Sequence, residues 1–308
     1  MSLSILLRTA QGDAYGAGFE YASAAHVAAK NMLTGFVKNE KHDLTASHYT
    51  DDTQMALANA EVILCAGCIS KDLLAHSYVH CFKRDQRVGY ASGFYNLLCE
   101  VNNGVELLDK LGAAPSDKSG GAMRAVPFGI FPSITEVVLL TTLQASITHN
   151  TTDGINAAVA AALMGHYFIH NLGPKKNLGK FLEQHVQGAH CNWNTPWREP
   201  VGSKGWQSVH AAVTAVIEHD SLSQILKAAV GYTGDVDTVA AVALGAASAS
   251  REVTDDLPAF LFDDLENGPF GRDYLISMDT KLERRMKSLR RSSGTSRPRG
   301  CCKRTTSV

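Results

Sequence analysis

Ten runs of helical character succeed one another along this chain, and almost nothing alternates with a period of two. The runs cover residues 53–67, 71–83, 93–102, 134–148, 154–171, 180–188, 206–219, 222–230, 238–249 and 272–290. Several are rich in Ala, Leu and Met, the strong helix formers. Stretches such as Ala157-Ala-Val-Ala-Ala-Ala-Leu-Met and Ala240-Ala-Val-Ala-Leu-Gly-Ala-Ala carry small residues that let helices approach closely. No internal repeat and no interdomain linker interrupts the series. The pattern predicts an all-α fold, a single compact multi-helix domain over about 1–285. Glycines concentrate between the runs, at Gly12 to Gly18, Gly120-Gly121 and Gly231 to Gly234, and read as loops.

With 308 residues, 45% hydrophobic and 19% charged, the chain has enough apolar surface for a sizeable core. No segment approaches the roughly 20 apolar residues of a membrane span. No secretory leader is visible, and the seven cysteines are odd in number and sparse, so a reducing, cytoplasmic setting is expected. Cys65 and Cys68 form a C-x-x-C without a second pair and read as core cysteines. From Arg284 onward there are nine Lys or Arg and no acid, leaving the first 283 residues with 20 basic and 30 acidic groups, a net of −10. An acidic body disfavours non-specific nucleic-acid binding. The segment 286–308 reads as a basic disordered tail, and nucleic acid or anionic lipid is expected to meet the protein only through it.

Two acidic clusters stand out: Thr50-Asp51-Asp52-Thr53, and Gly234-Asp235-Val236-Asp237-Thr238. Each precedes an apolar helical run. Thr and Asp are favoured N-caps, so either cluster alone reads as a helix start. Capping needs one oxygen, however, and each cluster supplies several. Carboxylates this close repel unless a cation or proton intervenes. Hard divalent cations, Mg2+ or Mn2+, want oxygen ligands of this kind. If the two helix starts face each other, they offer enough oxygens for two ions.

Five segments taken in order resemble the ADP-ribosylglycohydrolase family. Gly12-Asp13-Ala14-Tyr15-Gly16 followed by Phe19-Glu20 is similar to its G-D-A-x-G…E segment, and Thr50-Asp51-Asp52-Thr53-Gln54-Met55 to its T-D-D-T-x-M. Ser119-Gly120-Gly121-Ala122-Met123-Arg124 resembles its N-G-A-A-M-R loop, Thr148-His149 its T-H segment, and Gly234-Asp235-Val236-Asp237-Thr238 its G-D-T-D-T. Val236 stands for the usual threonine, Ser119-Gly120-Gly121 for N-G-A, and Ala91 where a glycine is common. The resemblance implies a binuclear metal site in a central cleft. It also implies cleavage of the bond linking ADP-ribose to a protein side chain or small conjugate, with ADP-ribose as product; arginine is the expected acceptor, and serine, O-acetyl-ADP-ribose or a non-catalytic ADP-ribose-binding or structural role are the alternatives. It implies Thr50, Asp51, Asp52, Asp235, Asp237 and Thr238 as metal ligands, and Glu20, Asp52 and Asp237 as catalytic residues. Ser119, Gly120, Gly121, Ala122 and Met123 would cradle the pyrophosphate through their N–H groups, and His149 would contact ADP-ribose. Asp85 and Tyr90 would line the acceptor side, with Asp85 suited to pair a guanidinium.

Overall fold

The computed structural model describes residues 3–65 and 67–294. Within them the chain forms α1 (Ile5–Ala17), α2 (Ala24–Lys30), α3 (Asp51–Leu64), α4 (Lys71–Arg84), α5 (Ser92–Glu100), α6 (Gly104–Leu111) and α7 (Ile134–Ala145). The second half forms α8 (Thr152–Ile169), α9 (Leu178–His185), α10 (Gly205–Glu218), α11 (Leu222–Gly231), α12 (Val236–Ala247), α13 (Phe260–Asp263) and α14 (Arg272–Gly294). Among the described residues there is no β-strand, only isolated bridges such as Lys118 with Lys204 and Val201 with Gly234. The all-α expectation holds.

Helix α12 is the axis of the core. Every residue from Val236 to Ala247 is buried, and α1, α3, α8, α10 and α11 pack around it. A helix that is apolar all round belongs in the middle of a protein. Its closest partner is α1, where the glycines predict a loop. A Cβ on Gly12 would lie 2.4 Å from the Ala240 carbonyl oxygen, and one on Gly16 would lie 2.5 Å from the Asp237 Cα. The glycines therefore serve backbone-to-backbone helix contact, not a turn. This close approach offsets the helix penalty of about 1 kcal/mol per glycine.

Cys65 and Cys68 also differ from expectation. Helix α3 ends at Leu64, and both thiols are exposed beyond it rather than packed in the core. Helix α14 runs to Gly294, nine residues past the boundary at 285 that composition suggested, and residues 295–308 lie outside the described residues.

Helix α14 buries Leu275, Met278, Asp279, Leu282 and Met286, one stripe at helical spacing, against α1 and α3. Asp279 accepts the N–H groups of Leu6 (2.9 Å) and Leu7 (3.0 Å) and so caps α1, whose own N-cap Ser4 makes no side-chain bond. Burial pushes this carboxyl up to about 7, against the pull of the two N–H groups and Arg8. A folded pKa above the unfolded one contributes stability that is complete below about pH 4 and lost as pH rises through about 7. Asp279→Asn keeps a neutral acceptor. Between pH 5 and 8, wild type should therefore lose on the order of 2–3 kcal/mol relative to this variant in denaturant unfolding. Parallel profiles would refute the assignment.

Candidate active site

The first acidic cluster is held by Asp13, whose place in the Gly12-Asp13-Ala14-Tyr15-Gly16 segment predicts no such role. Thr50 is the N-cap of α3 but makes no side-chain cap bond. Instead Asp13, from the middle of α1, does the capping. Its Oδ2 accepts the N–H groups of Thr50 (2.9 Å) and Thr53 (3.0 Å) and the Thr53 hydroxyl (2.6 Å), while its Oδ1 accepts the Thr50 hydroxyl (2.8 Å). With the helix start satisfied from outside, Asp51 and Asp52 are left free for another task. The Asp51 N–H donates to the Val88 carbonyl (3.1 Å). Gly89 passes directly over it at φ +102°, where a Cβ would fall 2.2 Å from Asp51 Oδ1. Asp52 Oδ1 is buried with no hydrogen-bond partner.

The second cluster sits at the start of α12. Gly234 has φ +94°, and a Cβ there would overlap the Val201 carbonyl, so only glycine fits. Asp235 Oδ2 accepts the Ser208 hydroxyl (3.1 Å), and Asp237 Oδ1 accepts the Thr238 N–H (2.9 Å). The Tyr21 N–H donates to the Gly234 carbonyl (2.8 Å), drawing the segment that carries Glu20 onto this cluster. Carboxylate oxygens of Glu20, Asp235 and Asp237 lie within 4.8 Å of one another, close enough to share a metal ion. The two helix starts do face each other. Glu20, Asp51, Asp52, Asp235, Asp237 and Thr238 all line one cavity of about 540 Å3. Thr50 lies behind this wall, its hydroxyl given to Asp13.

Among the described residues no lysine or arginine forms an ion pair with these acids. Asp51, Asp52 and Asp237 are pushed well above the usual carboxylate range, by burial first and then by neighbouring carboxylates. Asp13 and Asp235 are raised by burial despite the hydroxyl bonds that pull them down. Glu20 is raised to about 7 by burial, with Asp235 and Asp13 adding to it. The positive ends of α3 and α12 offset part of this repulsion. The remainder calls for a cation, and the donors are hard oxygens throughout. The buried Asp52 Oδ1 without a partner fits the same requirement. The residues present therefore suit a divalent metal.

The far end of the cavity is different. Ser119–Gly121 forms a 3-10 turn, and the N–H groups of Ala122 (2.8 Å) and Met123 (3.0 Å) both donate to the Ser119 carbonyl. Those two are committed within the loop, so the N–H cradle expected over 119–123 is narrower than the sequence suggested. Ser119, Gly120 and Met123 line the cavity; Gly121 and Ala122 do not. Both glycines fit beneath His149: a Cβ on Gly120 would be 2.9 Å from its Cε1, and one on Gly121 would be 3.2 Å from its Cβ and Cγ. His149 Nδ1 lies 2.7 Å from the Thr148 hydroxyl. Burial and the Arg124 charge lower its pKa to about 3, so the imidazole on the cavity wall is neutral. Arg124 itself is buried. It donates to Gln144 Oε1 (2.6 Å) and the Thr148 hydroxyl (2.6 Å), with its guanidinium 4.5 Å from the Tyr78 ring centre.

Tyr90 lines the cavity and donates to Gln54 Oε1 (2.7 Å). Asp85 is placed elsewhere. Its Oδ2 accepts Arg87 Nε (2.8 Å) and Nη2 (2.7 Å), and it is absent from the cavity wall. Arg87 also pairs with Glu266 and lies 3.9 Å over the Tyr49 ring. Asp85 thus anchors the segment that carries Gly89 across Asp51.

The ADP-ribosylglycohydrolase family profile matches residues 3–292, and the chain belongs to that family. It is similar to the human ADP-ribosylhydrolase ARH3, 27% identical over 149 residues, which are 46% of this chain and 41% of the human protein. The Xenopus tropicalis ARH3 is 26% identical over 193 residues, 58% of this chain and 53% of that protein. The matched region spans only about half or less of these relatives. A solved structure described as an ADP-ribosylglycohydrolase-related protein complex superposes with a TM-score of 0.72 at 21% identity, covering 92% of this chain and 96% of that one. At that identity the likeness speaks for the fold.

Proposed function

We propose that this cavity hydrolyses the glycosidic bond between ADP-ribose and an acceptor, releasing ADP-ribose, with two divalent cations, Mg2+ or Mn2+, as cofactors. The observation that carries the reading is the convergence of both acidic helix starts on one cavity, with Asp52 Oδ1 buried and unpartnered. Asp51, Asp52, Asp235, Asp237 and Thr238 would hold the ions. When bound, such ions supply Lewis acidity and lower the pKa of water. The remaining chemistry belongs to the chain. Cleavage at the ribose develops oxocarbenium character, and the fixed carboxylates stabilise it. Glu20 stands beside Asp235 and Asp237, where it can take a proton from water or give one to the leaving group. Asp237, in the second cluster, is close enough to feel Asp52 of the first as well as Glu20 and Asp235. His149, kept neutral, offers a ring nitrogen to the substrate without adding charge. The free cysteines of the described residues suit a reducing, cytoplasmic location.

The pairing of Asp85 supports one reading of the acceptor. An arginine acceptor wants a free carboxylate to pair its guanidinium. Asp85 is already paired with Arg87, and the nearby wall is Tyr90, Ala91 and Phe94. A neutral, oxygen-linked acceptor such as ADP-ribosyl-serine fits this wall better. The test is mass-spectrometric product analysis with ADP-ribosyl-serine and ADP-ribosyl-arginine peptides, in Mg2+, Mn2+ or EDTA. The expected result is metal-dependent release of free ADP-ribose, faster from serine. Preference for arginine would reverse the acceptor assignment, and AMP as product would overturn glycosidic cleavage.

A further inference from the structure

Beyond the acid cluster, the cavity wall carries two cations, Lys118 and Arg124. Arg124 is committed inside the protein to Gln144, Thr148 and the Tyr78 ring. Lys118 is not. Asp117, its neighbour in sequence, gives both carboxylate oxygens to Lys204 Nζ, at 2.7 and 2.6 Å. Among the described residues no carboxylate pairs with Lys118. Its backbone, in contrast, is held firmly. The Gly205 N–H donates to the Asp117 carbonyl (2.9 Å), and the Ser119 N–H donates to the Ser203 carbonyl (3.2 Å). A Cβ on Gly205 would lie 2.9 Å from the Lys118 carbonyl oxygen. Lys118 is exposed and lines the same cavity as Gly120 and His149. A pinned backbone with a free ammonium at the rim of an acidic cavity is an arrangement for receiving an anion.

We propose that Lys118 pairs with the pyrophosphate of the ADP-ribose conjugate and sets how tightly the conjugate binds, without taking part in bond cleavage. This rests on the ADP-ribose reading of the cavity given above. The need is electrostatic. The pyrophosphate is doubly negative and enters a cavity lined by five carboxylates, Glu20, Asp51, Asp52, Asp235 and Asp237. Two of the loop N–H groups that would otherwise receive it are already committed to the Ser119 carbonyl. A flexible ammonium supplies the missing attraction as a point charge.

Calorimetric titration of ADP-ribose and of adenosine, in Mg2+, tests this with wild type, Lys118→Met, Lys118→Arg and Lys118→Glu. At low salt, Lys118→Met should weaken ADP-ribose binding about tenfold, since a charge-assisted hydrogen bond is lost. Lys118→Glu should weaken it further, and Lys118→Arg should stay within about twofold of wild type. Raising salt to about 0.5 M should bring wild type toward Lys118→Met, because the attraction is screened. Adenosine, which has no pyrophosphate, should bind all four alike. In turnover assays KM should rise while kcat stays within about twofold, as for lost ground-state binding. If wild type binds ADP-ribose and Lys118→Met binds it equally well at low salt, this proposal falls and the reading of the cavity stands. If wild type binds no ADP-ribose in Mg2+, that reading falls and takes the proposal with it.

Discussion

Asp237→Asn should abolish hydrolysis and, without metal, make the protein harder to unfold. The two effects have one cause. Asp237 is buried among Glu20, Asp52 and Asp235, and burial and repulsion together push its carboxyl well above the usual range. An amide of the same shape removes one of these like charges. Its oxygen can still accept the Thr238 N–H that Asp237 Oδ1 accepts now (2.9 Å). Melting temperature in EDTA should therefore rise by a few degrees, as expected when an unpaired buried charge is taken away. In Mg2+ the order reverses. Saturating metal should raise the wild-type melting temperature by about 5 °C, from the mass-action stabilisation of a bound ligand. The variant should respond far less. Turnover should drop about 1,000-fold or more, because fixed negative charge at the reaction centre is lost. A destabilised variant in EDTA would mean that Asp237 is held by contacts the structure does not show. Wild-type turnover would remove it from the site.

The acidic clusters were legible because each is contiguous in sequence and sits directly before an apolar helical run. What held them in place was not. Asp13 reaches Thr50 and Thr53 across 37 and 40 residues, and Ser208 reaches Asp235 across 27. Asp13 is the only acid of α1, which also carries Arg8, Thr9 and Gln11, and its place in the Gly12-Asp13-Ala14-Tyr15-Gly16 segment was the signal available; the flanking glycines obscured the helix. Gly12 and Gly16 carry the same letter whether they make a turn or let two helices touch; only the position of Ala240 and Asp237 opposite them distinguishes the cases. Asp85 illustrates a different limit. Its charge and its place beside the cavity-lining Tyr90 were visible, but the network joining Arg87 to Glu266, 179 residues away, was not. The all-α fold needed no such distant partner. It follows from local periodicity and from the near absence of alternation, which is why most of the long helices emerged; α1, with its glycines, and the short α2, α6 and α13 did not.

Asp13→Ala should cost more stability than any other single carboxylate change at this site, and should take metal response with it. The four donors that meet Asp13 are two backbone N–H groups and two hydroxyls, all buried. The backbone pair cannot turn elsewhere, since Thr50 makes no cap bond of its own. Leaving buried donors unsatisfied is the expensive direction, about 1–3 kcal/mol each. Loss of a cap alone is worth about 1 kcal/mol. Removing a buried carboxylate, itself raised in pKa, returns part of this. A net loss on the order of 3 kcal/mol follows, read from denaturant unfolding in EDTA. Asp51 and Asp52 occupy the first turn that Asp13 fixes, so the Mg2+-induced rise in melting temperature should shrink even where the variant remains folded. Thr53→Val separates the two roles. It deletes only the hydroxyl bond (2.6 Å) and keeps the N–H bond (3.0 Å). It should lose about 1 kcal/mol and keep most of the metal response. If Asp13→Ala unfolds no more easily than Thr53→Val, Asp13 is not the cap. If it is destabilised yet retains a full response to Mg2+, the first turn of α3 is held in place by something else.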